Sequence, residues 1–271
     1  LMLGKGYELL YRTKNEELKT PYPATLSIKI PPSNPSDPPR QKLDITVRCE
    51  FRSPKGDVKG IISLRGEENN QITITNSDEL AMTCTPAAPL DGRYALVYDA
   101  TIGNMKTSSA LKRAFIGSKT PEKKAVLSQQ IMADEFSSAS DIGSRAPAEF
   151  ARINFGFGRT GNTPIIAADD SIFFISSIEN VGYGNLSAVR SYHFALAERG
   201  FTIKSGPGDC LQGAQVQTSA SKTIPLRNCF LELPAGLKEI TKPYEEETFL
   251  AELVYDYTLR KEMSLEVKVR E

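Results

Sequence analysis

At 271 residues the chain has room for one large domain or two of ordinary size. Its 33 basic and 33 acidic residues cancel, which argues against a nucleic-acid binder, since affinity for phosphate backbones comes from a basic excess. Apolar residues make up 40%, enough for real cores, yet the longest apolar runs, such as residues 172–175, are far too short to cross a bilayer as a helix.

The chain opens Leu1-Met2-Leu3, without a basic, apolar, small-residue leader. It is therefore expected to be a processed fragment, with any membrane attachment made through a segment absent from it. Residues 1–19 are mixed and charged, with Tyr7, Leu9, Leu10 and Tyr11 as apolar points, and read as a stalk or a short strand. Strand material begins at Leu26, Ile28 and Ile30. Five prolines between Pro31 and Pro39 then predict an exposed extended loop, because proline cannot donate to a sheet ladder.

Residues 43–51 carry the strongest pattern in the chain. Leu43, Ile45, Val47, Cys49 and Phe51 share one parity, and Asp44, Thr46, Arg48 and Glu50 share the other. Successive side chains of a strand point to opposite faces, so this stretch has one dry and one wet face. Leu80, Met82 and Cys84 repeat the pattern, again with the cysteine among the apolar residues. Two inward cysteines on separate strands predict two sheets packed face to face with a bridge through the core. Between them, Ser53-Pro54-Lys55-Gly56 reads as a turn, and short strands at 61–64 and 72–75 flank a polar connection.

The four cysteines fall into two sequence-local pairs, Cys49 with Cys84 and Cys210 with Cys229. None has the Cys-x-x-Cys spacing of a zinc or redox motif, and a single histidine cannot complete a cluster, so no metal and no cofactor is expected. Two disulfides are the expected state, with buried free thiols as the alternative. Disulfides would place the chain outside the cytosol.

Asp91-Gly92 then makes a turn before Tyr94, Leu96 and Tyr98, which share a parity. Here the chain resembles the immunoglobulin-like sandwich, where a similar Asp-Gly turn opens a late strand and a tyrosine closes a corner. It departs from that pattern in having no tryptophan, and in placing Cys84 before the turn instead of two residues after the tyrosine. From Thr120 the pattern changes. Thr120-Pro121-Glu122 reads as a helix start, and Leu127, Ile131 and Phe136 give a narrow apolar stripe. Residues 118–147 thus read as one helix and a Ser/Ala/Gly-rich linker between domains; the alternative is a helix packed on the edge of one larger sandwich.

The second half alternates again, at 150–157, 172–178, 191–196, 201–204 and 223–233, with Cys229, Leu231 and Leu233 in phase. In 248–257, Phe249, Ala251, Leu253, Tyr255 and Tyr257 share a face. In 264–269, Leu265, Val267 and Val269 do the same. With only residues 258–263 between them, these two read as a hairpin. This half resembles sandwich domains of archaeal and bacterial surface proteins, through Asn180-Val181-Gly182-Tyr183-Gly184, Pro234-Ala235-Gly236, Tyr255-Asp256-Tyr257 and the final Val267-Lys268-Val269. The resemblance implies an extracellular structural or binding role and brings no functional residue with it.

Each remaining motif has a plainer competing explanation. Gly156-Phe157-Gly158-Arg159-Thr160-Gly161 fits a dinucleotide fingerprint, but Asn162-Thr163-Pro164 follows where a phosphate-binding helix is required, so a glycine-rich turn is expected. His193 would have to be the base of any Ser-His-Asp set, yet it sits in ordinary strand alternation without a nucleophile elbow. Asp169-Asp170 and Glu245-Glu246-Glu247 lack the spaced oxygen ligands of a calcium loop and read as solvated charge. Asn185-Leu186-Ser187 is a glycosylation sequon just past a turn. Tyr183, Tyr255 and Tyr257 read as core or edge packing ahead of an aromatic binding face.

Together these readings predict an all-β protein of two Ig-like antiparallel β-sandwich domains, 20–117 and 148–271, each with its own disulfide, joined by the helix and linker of 118–147. The expected function is that of a non-enzymatic, cell-surface structural or adhesion module contacting other surface proteins or copies of itself, with no nucleic-acid partner. A ligand-binding module for glycans or a peptide, using loops 31–40 or 205–222, is the alternative. A glycosidase, which needs carboxylates paired across a cleft, stands third.

Overall fold

The computed structural model describes residues 9–13, 22–28, 42–74, 78–88, 90, 92–116, 150–158, 165–166, 171–216, 222–238 and 245–267. The predicted helix and linker at 118–147 and the proline loop at 31–39 lie outside the described residues. The chain forms two units that are not consecutive in sequence. One comprises Leu1–Met105, Gly182–Ser187 and Tyr255–Glu271, the other Lys106–Val181 and Ala188–Val254. The expected division runs in series along the chain, whereas residues 255–267 group with the N-terminal residues.

In the first unit, β1 (Leu9–Thr13) pairs with β2 (Tyr22–Ile28), and β3 (Leu43–Arg52) is followed by β4 (Val58–Leu64), β5 (Gln71–Ile74) and β6 (Asp78–Pro86). One sheet runs β1-β2-β6-β4, all antiparallel. The other is centred on β3, which pairs with β7 (Gly92–Ile116) along one edge and with β5 and then β4 along the other. Residues Leu43, Ile45, Val47, Cys49 and Phe51 are all buried, and the intervening side chains are not, so the alternation in the sequence is the alternation of the strand. The turn expected at Ser53 is present: the Gly56 amide donates to the Ser53 carbonyl at 3.1 Å, with Gly56 at φ +135°.

β4 belongs to both sheets. Val58 and Lys59 pair with Phe51 and Glu50 of β3, and from Gly60 onward the strand pairs with β6. The corner falls at Gly60 for a steric reason. A Cβ there would overlap the sulfurs of Cys49 and Cys84 and come within 2.9 Å of the Cys49 carbonyl oxygen. Only glycine lets the strand bend around the inter-sheet bridge.

The second unit is also built from two sheets. β8 (Ala151–Phe157), β9 (Ile165–Ile166), β10 (Ile172–Asn180), β11 (Asn185–Phe194), β12 (Thr202–Ser205), β13 (Gln212–Val216), β14 (Thr223–Pro225), β15 (Cys229–Glu232), a single helical turn α1 (Ala235–Lys238) and β16 (Glu245–Val267) complete the chain. One sheet takes residues 106–116 of β7, 245–254 of β16, 188–194 of β11, and β13, with β9 added in parallel at Phe115 and Ile116. The other has β10 at its centre, β8 on one side, and β14 and β15 end to end on the other, with β12 beyond β15. The register slips by one residue between Phe174↔Cys229 and Ser177↔Pro225, which marks a β-bulge at 226–228. The side-chain carbonyl of Asn228 accepts from the Ser176 amide at 3.3 Å, and so replaces a ladder bond that the bulge removes.

The inner faces of these two sheets meet in an aromatic core. Phe115, Phe194 and Phe249 come from one sheet and Phe155, Phe157 and Phe174 from the other, with Phe201 beside them. Phe157 and Phe249 approach to 5.1 Å edge-on, and Phe174 and Phe194 to 5.0 Å. Edge-to-face geometry sets the positive rim of one ring against the negative face of the next. Arg113 shares the inward parity of Leu111 and Phe115 on β7; its burial pulls its pKa down to about 10.

The expected hairpin at 248–269 is not formed. β16 is one strand from Glu245 to Val267. Residues 258–263, Thr-Leu-Arg-Lys-Glu-Met, contain no glycine, proline, asparagine or aspartate to make a turn, and the odd-numbered apolar positions continue in phase through Leu259, Met263 and Leu265. Thr258 and Arg260 bond instead to Thr101 and Asp99 of β7.

Candidate functional site

Both predicted disulfides are formed. Cys49 of β3 joins Cys84 of β6 across the sheets of the first unit, with Cα atoms 6.2 Å apart. Cys210, ahead of β13, joins Cys229 of β15 in the second unit, with Cα atoms 6.1 Å apart. All four cysteines are buried.

An open cleft of about 480 Å³ lies where β4 parts from β3. Its polar lining is Arg48, Glu50, Lys59, Asn70 and Asp99, set around Gly60 and the buried Val47, Cys49, Ile62 and Val97. The strand geometry explains this composition. Arg48 and Glu50 are on the outward parity of β3, and Asp99 is on the outward parity of β7, while the departure of β4 opens the edge of β3 beside them.

The charges in the cleft are paired in an unexpected way. Arg48 stands directly across the ladder from Asp99, and Lys59 directly across from Glu50. Opposite charges in such positions normally attract. Yet Arg260 of β16 donates to both carboxylate oxygens of Asp99, through Nε at 2.7 Å and Nη2 at 2.8 Å. Arg52 Nε donates to Glu50 Oε2 at 2.8 Å. These hydrogen bonds are the main reason the Arg260 and Arg52 guanidiniums sit above their ordinary pKa. Arg48 and Lys59, both exposed, have no ion-pair partner among the described residues. The wall therefore offers two uncommitted cations, two carboxylates with acceptor capacity to spare, and one amide.

The other sequence candidates lie elsewhere. Asn185 is the exposed first residue of β11, and Ser187 is exposed beside it. The turn before it is held by the Gly184 amide, which donates to the Tyr257 hydroxyl at 2.6 Å. Tyr183 on that turn is fully exposed, whereas Tyr255 and Tyr257 are core residues. His193 bonds Glu198 at 3.1 Å on the surface of the second unit. Gly156 and Phe157 are strand residues of β8, Gly158 turns the chain at φ +77°, and 159–164 lie outside the described residues, as do Asp169 and Asp170. Of the acidic run, Glu247 pairs with Arg199 at 3.7 Å. Among the described residues no cluster of His, Cys, Asp or Glu could hold a metal ion, and no helix is long and apolar enough to cross a membrane.

The cleft was not singled out in the sequence. Its signal there was only the polar parity of β3; that Asp99 turns away from Arg48 depends on a residue 161 positions along the chain.

No protein-family model matches the chain, and no curated protein matches it in sequence.

Proposed function

We propose that this chain is an extracellular or cell-surface structural and adhesion module built from Ig-like sandwiches, acting through contacts with other surface proteins or copies of itself. The observation that carries the reading is the pair of core disulfides, one in each unit. Bridges of this kind persist in oxidising compartments and are reduced in the cytosol. The exposed Asn185 sequon suits a glycan-bearing outer surface.

The test has two parts. Intact mass after alkylation, with and without reduction, is expected to show no reactive thiol before reduction, and a peptide map should join Cys49 to Cys84 and Cys210 to Cys229. Non-permeant biotinylation of intact cells that produce the natural protein is expected to label it. Free thiols in protein taken from its native host, or labelling only after lysis, would overturn the extracellular reading.

A second reading, a ligand-binding sandwich for glycans, is favoured by the polar cleft beside β3. A glycan array against a pull-down from cell-surface extract separates the two.

A further inference from the structure

We propose that the cleft between β3 and β4 binds an acidic sugar, a uronate within a glycan, with Arg48 and Lys59 taking its carboxylate and Glu50, Asp99 and Asn70 taking its hydroxyls. This rests on the ligand-binding reading of the chain. The argument begins with the surplus of cations. Each carboxylate in the cleft faces a cation across the ladder and is bound by a different one, Asp99 by Arg260 and Glu50 by Arg52. Arg48 and Lys59 are left as donors on two strands that diverge, with open space between them. An anion supplies what the protein withholds. Arg48 in particular can present two parallel N–H donors to a carboxylate.

The rest of the wall identifies what carries the anion. The volume of about 480 Å³ exceeds what a lone inorganic ion fills and falls within the range of small-molecule sites. Carboxylate oxygens and an amide are groups that recognise hydroxyls. An acidic peptide added as a strand would need a free backbone edge. The β3 edge is already engaged on both sides of Cys49: the Val47 amide donates to the Asn70 carbonyl at 2.8 Å, and Glu50 and Phe51 pair with Lys59 and Val58. A strand would find one residue to pair with, too few for augmentation.

The experiment is an amide-resolved NMR titration of the whole chain with the trisaccharides of galacturonate, glucuronate and mannuronate, with neutral maltotriose, and with a triglutamate peptide. At least one uronate is expected to shift the amides of Gly60, Asn70 and Val97 to saturation, about tenfold more tightly than maltotriose or triglutamate, and more weakly as salt is raised. The double variant Arg48→Gln/Lys59→Gln, at two exposed positions, should lose about tenfold in affinity, and Lys204→Gln on the other unit should lose none. Equal binding by triglutamate or maltotriose, or an unchanged double variant, overturns the proposal. Uronate shifts confined to other residues overturn the cleft assignment and leave a ligand-binding module standing; no shift by any sugar overturns both.

Discussion

Gly60 lies against Cys49 at the residue where β4 leaves β3, so close that a methyl group on Gly60 would overlap the sulfurs of both Cys49 and Cys84. The corner and the bridge are thus one feature: the strand can change sheets there only because nothing projects from it. Gly60→Ala is expected to cost about 2–3 kcal/mol, the upper part of the range for overpacking a core, because the nearest atoms are a disulfide and a backbone carbonyl that cannot swing aside. Urea unfolding measures it. A loss below about 0.5 kcal/mol would mean the corner has slack.

The aromatic core of the second unit should separate sharply from its surface aromatics. Phe249 touches Phe115, Phe157 and Phe201 and is wholly buried. Phe249→Ala is expected to cost about 3–5 kcal/mol. Phe230 is 44% exposed and leans on Phe173 on the outer face, so Phe230→Ala should cost about 1 kcal/mol or less. Matched denaturant curves for the two variants check the contrast.

Alkaline pH should weaken the fold through its buried phenols. Burial raises the pKa of Tyr98 well above its usual 10, and those of Tyr257 and Tyr192 in the same direction. A raised folded pKa means that the folded chain keeps a proton the unfolded chain has already lost. The stability this represents is whole below about pH 10 and drains away as pH climbs from there toward the folded values. Unfolding midpoints at pH 8, 10 and 11 should fall over the last interval, and Tyr98→Phe should flatten that fall.

The continuity of β16 has a direct reading in hydrogen exchange. Were residues 258–263 a turn, their amides would exchange like a loop; as strand residues beside β7 they should be protected with their neighbours. Lys261→Pro, which removes a donor and stiffens the chain in mid-strand, is expected to lower stability markedly, an outcome a hairpin loop would not produce.

The Asp99–Arg260 pair is half in water, so breaking it should change stability by less than about 1 kcal/mol. Its effect on the cleft should be larger. In Arg260→Gln, Asp99 is released to Arg48, its neighbour across the ladder, and one of the two uncommitted cations disappears. Uronate binding in the titration above should then weaken severalfold with the fold intact.

Features that depend on near neighbours were legible in the residues alone. The parity of residues 43–51 and 249–255 predicted which side chains are buried, since a strand's alternation is set by local backbone geometry. The inward phase of Cys49 and Cys84 predicted a bridge between sheets, and Ser53 to Gly56 predicted their turn. Tertiary structure decided the rest. Tyr257 and Leu265 have the same alternation whether the chain between them turns or runs straight; the lack of a turn residue in 258–263 disfavoured the turn, and bonds from Thr258 and Arg260 to β7 hold the strand straight. The interleaving of the two units follows from that choice. Gly60 is one glycine among 19 until Cys49 and Cys84 are brought together beside it. Arg48 and Asp99 are brought across the ladder from each other only in the sheet, and there Arg260, from the far end of the chain, takes the carboxylate. Alternation is written residue by residue, but the choice of partner is a competition among distant groups, settled only when the strands lie side by side.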